Sequence, residues 1–335
     1  MRVLFIVLVL SVLSFPSGAT TTEGRLRLAT WNIGNLYHRD GIALRPGAQA
    51  REAADFAALR AYAKALDADV IALQEINSPE AANRIFPRAV YDVVVDGRRA
   101  KDLADGRRPP AEGGEGAFET DGIYTAFAFR RGAVEIVEIA DVPALGVVHG
   151  EREGVPRRTR WGLSVLLRVG GKTLRLLNVH LKSACHTGRL RTSSRRDDCV
   201  TLARQVPILE AWIDRHALTT PVIVLGDMNR KIERYREDDD LWREIDDGTP
   251  SDLDRLPERP AKQPYRDWLD KSWKGCPTFH GKDYGPIDYF FYDEKAAAFV
   301  VPASYRHVRY KPEDVEEHGE GLSDHCPATL DLEFD

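Results

Sequence analysis

The sequence predicts an α/β fold built on mixed β-sheets. Three observations carry that expectation: many short apolar strands, helical stripes interspersed among them, and at least one tight glycine hairpin between neighbouring strands. A purely βαβ-wound sheet would have no hairpin.

The elements follow in order. "RLRLATWNI" alternates as a half-buried strand, with Leu26, Leu28, Thr30 and Asn32 on one face. Residues 49–67 carry a helical stripe of Phe56, Leu59, Ala63 and Leu66. "DVIALQEI" is a short buried strand. "NSPEAANRIF" is a capped helix, with Ser78 ahead of Pro79 at the first helical position. "AVYDVVV" is another strand. Residues 96–122, rich in Gly, Arg, Pro and Asp, predict a surface loop. Strands resume at "IYTAFAFR", "VEIVEI", "GLSVLLRV" and "TLRLLNVHL", the last two joined by Gly170-Gly171. Residues 200–216 predict a helix that Pro207 either kinks or restarts. "PVIVLGD", "PIDYFFYD" and "PATLDLEF" are the remaining strands. Residues 231–275 read as charged and irregular, and the acidic run "REDDD" within them as a solvated face.

The first nineteen residues stand outside this pattern. Arg2 precedes an apolar run from Val3 to Phe15, and Ser17-Gly18-Ala19 follows. That is the layout of an export signal cleaved after Ala19, and it predicts a secreted or periplasmic protein. The run is shorter than the ~20 residues of a membrane-spanning helix, and no other run is longer, so no transmembrane segment is expected. What remains, residues 20–335, reads as one domain. No repeat or linker divides it. A net charge of −5 gives no overall attraction to nucleic acid, so polyanion binding must come from local basic patches.

Four cysteines behind an export signal suggest two disulfides. Cys185 and Cys199 flank one polar loop and are paired on that ground, which leaves Cys276 with Cys326. No spacing matches a zinc site.

Several apolar strands end in polar residues. Asp227 and Asn229 lie two apart at the exit of "PVIVLGDMN" and project together. Glu75 ends "VIALQE", and Asn32 sits late in the first strand. Asn178 and His180 share a face of "LLNVHLKS". Asp288 stands alone in "PIDYFF", and a buried acid there needs a partner such as histidine. Asp324 and His325 are adjacent in "LSDHCPA", so they point apart. Taken singly, each has an ordinary structural explanation. Together the carboxylates and amides offer hard oxygen ligands, which suit Mg²⁺, Mn²⁺ or Ca²⁺ rather than zinc.

Six segments in this order, "ATWNIGNL", "IALQEI", "LLNVHLKS", "VIVLGDMN", "PIDYFF" and "LSDHCPA", resemble the successive motifs of the endonuclease/exonuclease/phosphatase superfamily, which has the deoxyribonuclease I-like fold. The resemblance runs from Arg25 to Phe334. It implies a four-layer sandwich of two packed mixed β-sheets flanked by helices. It implies that Glu75 ligates a divalent metal, Mg²⁺ first, with Asn32 and Asp324 beside it. Asp227 and Asn229 would orient the attacking water and hold the phosphate. Asp288 and His325 would form a dyad that activates that water, and His180 would donate to a phosphate oxygen. Gly34 stands where repair-type abasic endonucleases carry a polar residue, and "NVHLKS" fits secreted nucleases, sphingomyelinases and inositol-phosphate phosphatases better than that branch.

The substrate expectation is nucleic acid. Basic residues cluster at Arg98, Arg99, Lys101, Arg107 and Arg108; at Arg157, Arg158 and Arg160; and at Lys182, Arg189, Arg191, Arg195 and Arg196. Arg160, Lys182 and His280 are the candidate substrate contacts. A lipid or small-molecule phosphoesterase is the alternative, with Trp268 and Trp273 as residues that would meet a membrane. A non-catalytic binding protein on the same fold is the alternative of another class. No stable protein partner is implied, and a monomer is expected.

Overall fold

The computed structural model describes residues 24–108, 112, 122–152, 154–191, 196–278 and 285–334. The proposed export signal, Arg195 and His280 lie outside the described residues. The first strands are β1 (Arg25–Leu36), β2 (Val70–Ile76), β3 (Tyr91–Val95), β4 (Tyr124–Arg130) and β5 (Glu135–Val142). A hairpin, β6 (Val148–Arg152) and β7 (Val155–Arg158), precedes β8 (Gly162–Val169), β9 (Lys172–His180) and β10 (Val222–Asp227). The last are β11 (Leu253–Leu256), β12 (Asp288–Asp293), β13 (Arg306–His307) and β14 (Ala328–Glu333).

They form two six-stranded sheets, ordered β13-β14-β1-β2-β4-β3 and β11-β12-β10-β9-β8-β5. Each sheet is mixed in the same way. β1 pairs parallel with β2, and β10 pairs parallel with β9, among otherwise antiparallel partners. One apolar cluster joins the sheets face to face through Leu28, Val70, Phe127, Leu176, Ile223, Leu225 and Phe290. A second packs the first sheet against helix α1 (Ala53–Leu66) and the Ser78-capped α2 (Pro79–Asn83). A third packs the second sheet against the long helix Asp197–Ala217. Three apolar seams separate four layers, which is the expected sandwich.

The structure corrects several expectations. Residues 96–122 hold α3 (Arg98–Ala104), in which Arg98 and Asp102 are buried and paired at 3.2 Å. Tyr124 completes that pair by donating to Asp102 at 2.9 Å, so charges read as surface charge are internal. Residues 231–275 contain the helices Ile232–Tyr235, Asp240–Ile245 and Tyr265–Lys271 besides β11, which extends the second sheet. In the acidic run, Asp239 is buried, caps the helix Asp240–Ile245 and accepts from Arg230 at 2.9 Å. The helix Asp197–Ala217 continues through Pro207 as one element. Trp268 and Trp273 are buried and stacked, and Trp273 stacks in turn on His307, so neither is available to a membrane.

Both disulfides form as paired, Cys185–Cys199 and Cys276–Cys326. In the chain-entropy model, loops of these lengths stabilise by about 3 and about 4 kcal/mol. Melting the oxidised chain and the reduced, alkylated chain side by side should therefore show a Tm lower by roughly 10 °C after reduction. Equal melting points would contradict a stabilising role for the bridges.

Candidate active site

The register of the second sheet builds half of the site. Asp227 on β10 pairs with His180 on β9 and with Asp288 on β12, so three polar side chains lie in one row. Strand parity puts that row on the same face as Ile223, Leu225, Leu176 and Phe290, which pack against the other sheet. The row therefore opens into the seam between sheets, at the end where the apolar residues stop. Gly226 permits the tight approach of β9. A Cβ there would lie 2.1 Å from the Val179 carbonyl oxygen, and its φ is +137°.

The first sheet supplies the other half. Asn32 shares the inward parity of Leu26 and Leu28 on β1. Glu75 does not: strict alternation on β2 would turn it toward the helices with Leu73. The β1–β2 register shifts beyond Asn32, and Glu75 takes a φ of +61°. The irregularity re-aims its carboxylate into the seam. Its Oε1 lies 3.3 Å from Asn32 Nδ2, and its Oε2 accepts from the Asn35 backbone at 2.9 Å.

Asp227 is the hub. Its Oδ1 accepts from the Asn229 backbone at 2.8 Å, and its Oδ2 accepts from Asn32 Nδ2 at 3.1 Å and Asn229 Nδ2 at 3.0 Å. His180 Nε2 lies 3.4 Å from the same oxygen, and His325 Nε2 3.9 Å. His325 Nδ1 meets Asp288 Oδ2 at 2.8 Å, which leaves Nε2 facing Asp227. Asp227, Asp288 and His325 offer ligand atoms within 4.8 Å of one another. Asp324, exposed, lies over the Gly34 turn: a Cβ at Gly34 would be 3.5 Å from its Oδ1.

Burial shapes the protonation states. It pushes the Asp227 carboxyl up to about 7, against the pull of the His325 charge. It would depress His325, but the carboxylates of Asp288 and Asp227 overcome it and hold the imidazole well above its ordinary value. Burial, with Arg160, His325 and Lys182 adding to it, keeps His180 well below 6.5 and so neutral.

The sequence matches the Endonuclease/Exonuclease/phosphatase family over residues 29–325. The chain belongs to that family. It is accordingly a metal-dependent phosphoric ester hydrolase. No curated protein matches the sequence significantly. Solved structures of similar fold include the human nocturnin catalytic domain with bound sulfate, at 15% identity and TM-score 0.51, covering 95% of this chain and 97% of that one. An endonuclease/exonuclease/phosphatase from Bacteroides vulgatus has 16% identity and TM-score 0.55, covering 93% and 99%. A humanized D. rerio TDP2 gives 16% and 0.55, covering 93% and 100%. At these identities the likeness is one of fold, the deoxyribonuclease I-like sandwich.

The family's divalent metal fits the donor set. Carboxylates and carboxamides crowd one seam, and both Glu75 oxygens retain lone pairs beyond their single donors. The candidate substrate residues are placed as follows. Arg160 donates to the Leu181 carbonyl at 2.9 Å, and Lys182 pairs with Asp198 at 2.7 Å, both next to His180 in the chain or across it. Asn178 faces the seam as His180 does, but it is structural: it donates to Leu73 and Ala126 of the opposite sheet and accepts from Gln74.

Sequence reasoning missed three supporting residues. Ser323 Oγ donates to the Asn32 carbonyl at 2.6 Å and accepts from the His325 backbone at 3.1 Å. Tyr310 and Trp31 both donate to the His325 carbonyl. Ser323 was within reach as a member of "LSDH"; nothing local marks Tyr310 or Trp31.

Proposed function

We propose that the chain is an exported phosphodiesterase that hydrolyses nucleic acid by in-line attack of water, with residues 1–19 as the export signal and residues 20–335 as one catalytic domain. The observation that carries the substrate class is the positive charge beside His180. Arg157, Arg160 and Lys182 all act on His149 and, with burial as the larger cause, push it down to about 4. Acids engage the other basic segments, Asp102 holding Arg98 and Arg107, Asp105 holding Lys101 and Asp240 holding Arg189, and Lys182 itself pairs with Asp198. The buried tryptophans disfavour the lipid alternative, and family membership disfavours the non-catalytic one.

Glu75 would hold the cation, with Asn32 and Asp324 beside it, and the bound ion, Mg²⁺ first, would draw charge from the phosphoryl oxygens. Asp227 and Asn229 orient the water. His325 takes its proton through Nε2, and Asp288 fixes the ring's tautomer through Nδ1. His180, neutral, donates to a phosphoryl oxygen.

One observation favours a second division of the proton work. Asp227, near 7, is poised to accept a proton, whereas His325 is held as imidazolium by two acids and so suits donation to the phosphate. Asp227→Asn then loses the base limb of the pH–rate profile, while His325→Gln retains it. The reverse pattern supports His325 as the acceptor.

The substrate test is a panel: plasmid DNA, single-stranded DNA and RNA, sphingomyelin vesicles and inositol phosphates, each with Mg²⁺, Mn²⁺ or Ca²⁺. Cleavage of nucleic acid that a chelator abolishes is the expected result. Turnover of lipid or inositol phosphate with nucleic acid left intact would replace the nuclease reading.

A further inference from the structure

Arg51 is 3% exposed, yet among the described residues no carboxylate pairs with it. A buried cation without a partner acid is costly unless its donors are satisfied otherwise. Here backbone carbonyls do so. Arg51 Nη1 donates to the Gly34 oxygen at 2.8 Å and Nη2 to the Ile33 oxygen at 2.8 Å. Nε donates to the Gly321 oxygen at 2.9 Å, and Nη2 reaches the Leu322 oxygen at 3.4 Å.

These acceptors belong to two distant segments. Ile33 and Gly34 directly follow Asn32, and Gly321 and Leu322 directly precede Ser323, Asp324 and His325. The left-handed turn at Gly34 and Asn35 places the Ile33 and Gly34 carbonyls on Arg51 and the Asn35 N–H on Glu75. Only the planar five-donor fork of arginine can span both segments at once; a lysine ammonium cannot.

We infer that Arg51 is a positioning residue that locks the Asn32–Glu75 side of the site in register with the Asp324–His325 side. Ser323 fastens the same two segments from within the seam, so the clasp is double. Losing Arg51 lets the two sides shift relative to each other, which spoils both cation binding and turnover without touching substrate.

The inference rests on Asn32, Glu75 and His325 forming the site, and the test keeps the two apart. Arg51→Lys and Arg51→Ala are compared with wild type by thermal melting, by calorimetric titration with Mn²⁺, and by kinetics on bis(p-nitrophenyl) phosphate. Expected is a folded Arg51→Lys with Mn²⁺ affinity and kcat each lower by about tenfold or more, and KM changed by less than about threefold. Free guanidinium restores part of both to Arg51→Ala. Variants that bind Mn²⁺ and turn over as wild type does, or that merely fail to fold with no rescue, overturn the proposal. A wild-type chain that binds Mn²⁺ but hydrolyses no ester would sink the functional reading, while the Mn²⁺ titrations would still decide the role of Arg51.

Discussion

His325→Ala lowers kcat by about 10²- to 10⁴-fold with little change in KM, the scale of a positioned proton-transfer group. One ring nitrogen of His325 is fixed by Asp288 at 2.8 Å and the other faces the Asp227 carboxylate. Alanine removes the ring and leaves Asp288 without its histidine partner. Asp288→Asn should reproduce most of the loss, because an amide holds the imidazole in either tautomer and no longer sustains its charge. Steady-state kinetics on whichever ester the panel identifies is the measurement. A loss of only a few-fold for both variants would show that the dyad is structural.

Asp227→Ala has an effect of similar size and a different signature. Three hydrogen bonds converge on this carboxylate, from Asn32 and twice from Asn229, and two histidines face it. Its removal takes the acceptor from the buried Asn229 backbone N–H and leaves the Asn32 and Asn229 amides only Glu75 and the Leu181 carbonyl, and an unsatisfied buried group costs about 1–3 kcal/mol. We therefore expect kcat to fall by at least ~10²-fold together with a lower melting temperature. Asp227→Asn preserves the shape and separates the two consequences. Near wild-type activity in Asp227→Asn would remove Asp227 from the chemistry altogether.

Much of this site was legible in the sequence because polar residues interrupt otherwise apolar strands. Asp227 and Asn229 stand out after "VIVLG", and Glu75 after "VIAL". Their convergence was not legible from spacing. It depends on sheet register, which aligns Asp227 with His180 and Asp288, and on the irregularity that turns Glu75 inward against its strand parity. Charge misled for a related reason. Arg51, Arg98 and Arg230 look like surface arginines in any local window, but the fold buries each and satisfies it with carbonyls or an acid. The helix within residues 98–104 and the elements between 231 and 275 were hidden because their apolar content is low, and internal charge pairs do part of the work that greasy contacts do elsewhere.

The pairing of β14 with β1 has a further consequence. Arg25 lies opposite Glu333, and His325 is carried in on the segment that leads to that closing strand. During synthesis the chain lays down Asn32 and Glu75 early and His180, Asp227 and Asp288 later, but His325, the proposed proton-handling residue, arrives only when β14 docks. A polypeptide in which that last pairing has not closed consequently lacks an assembled site.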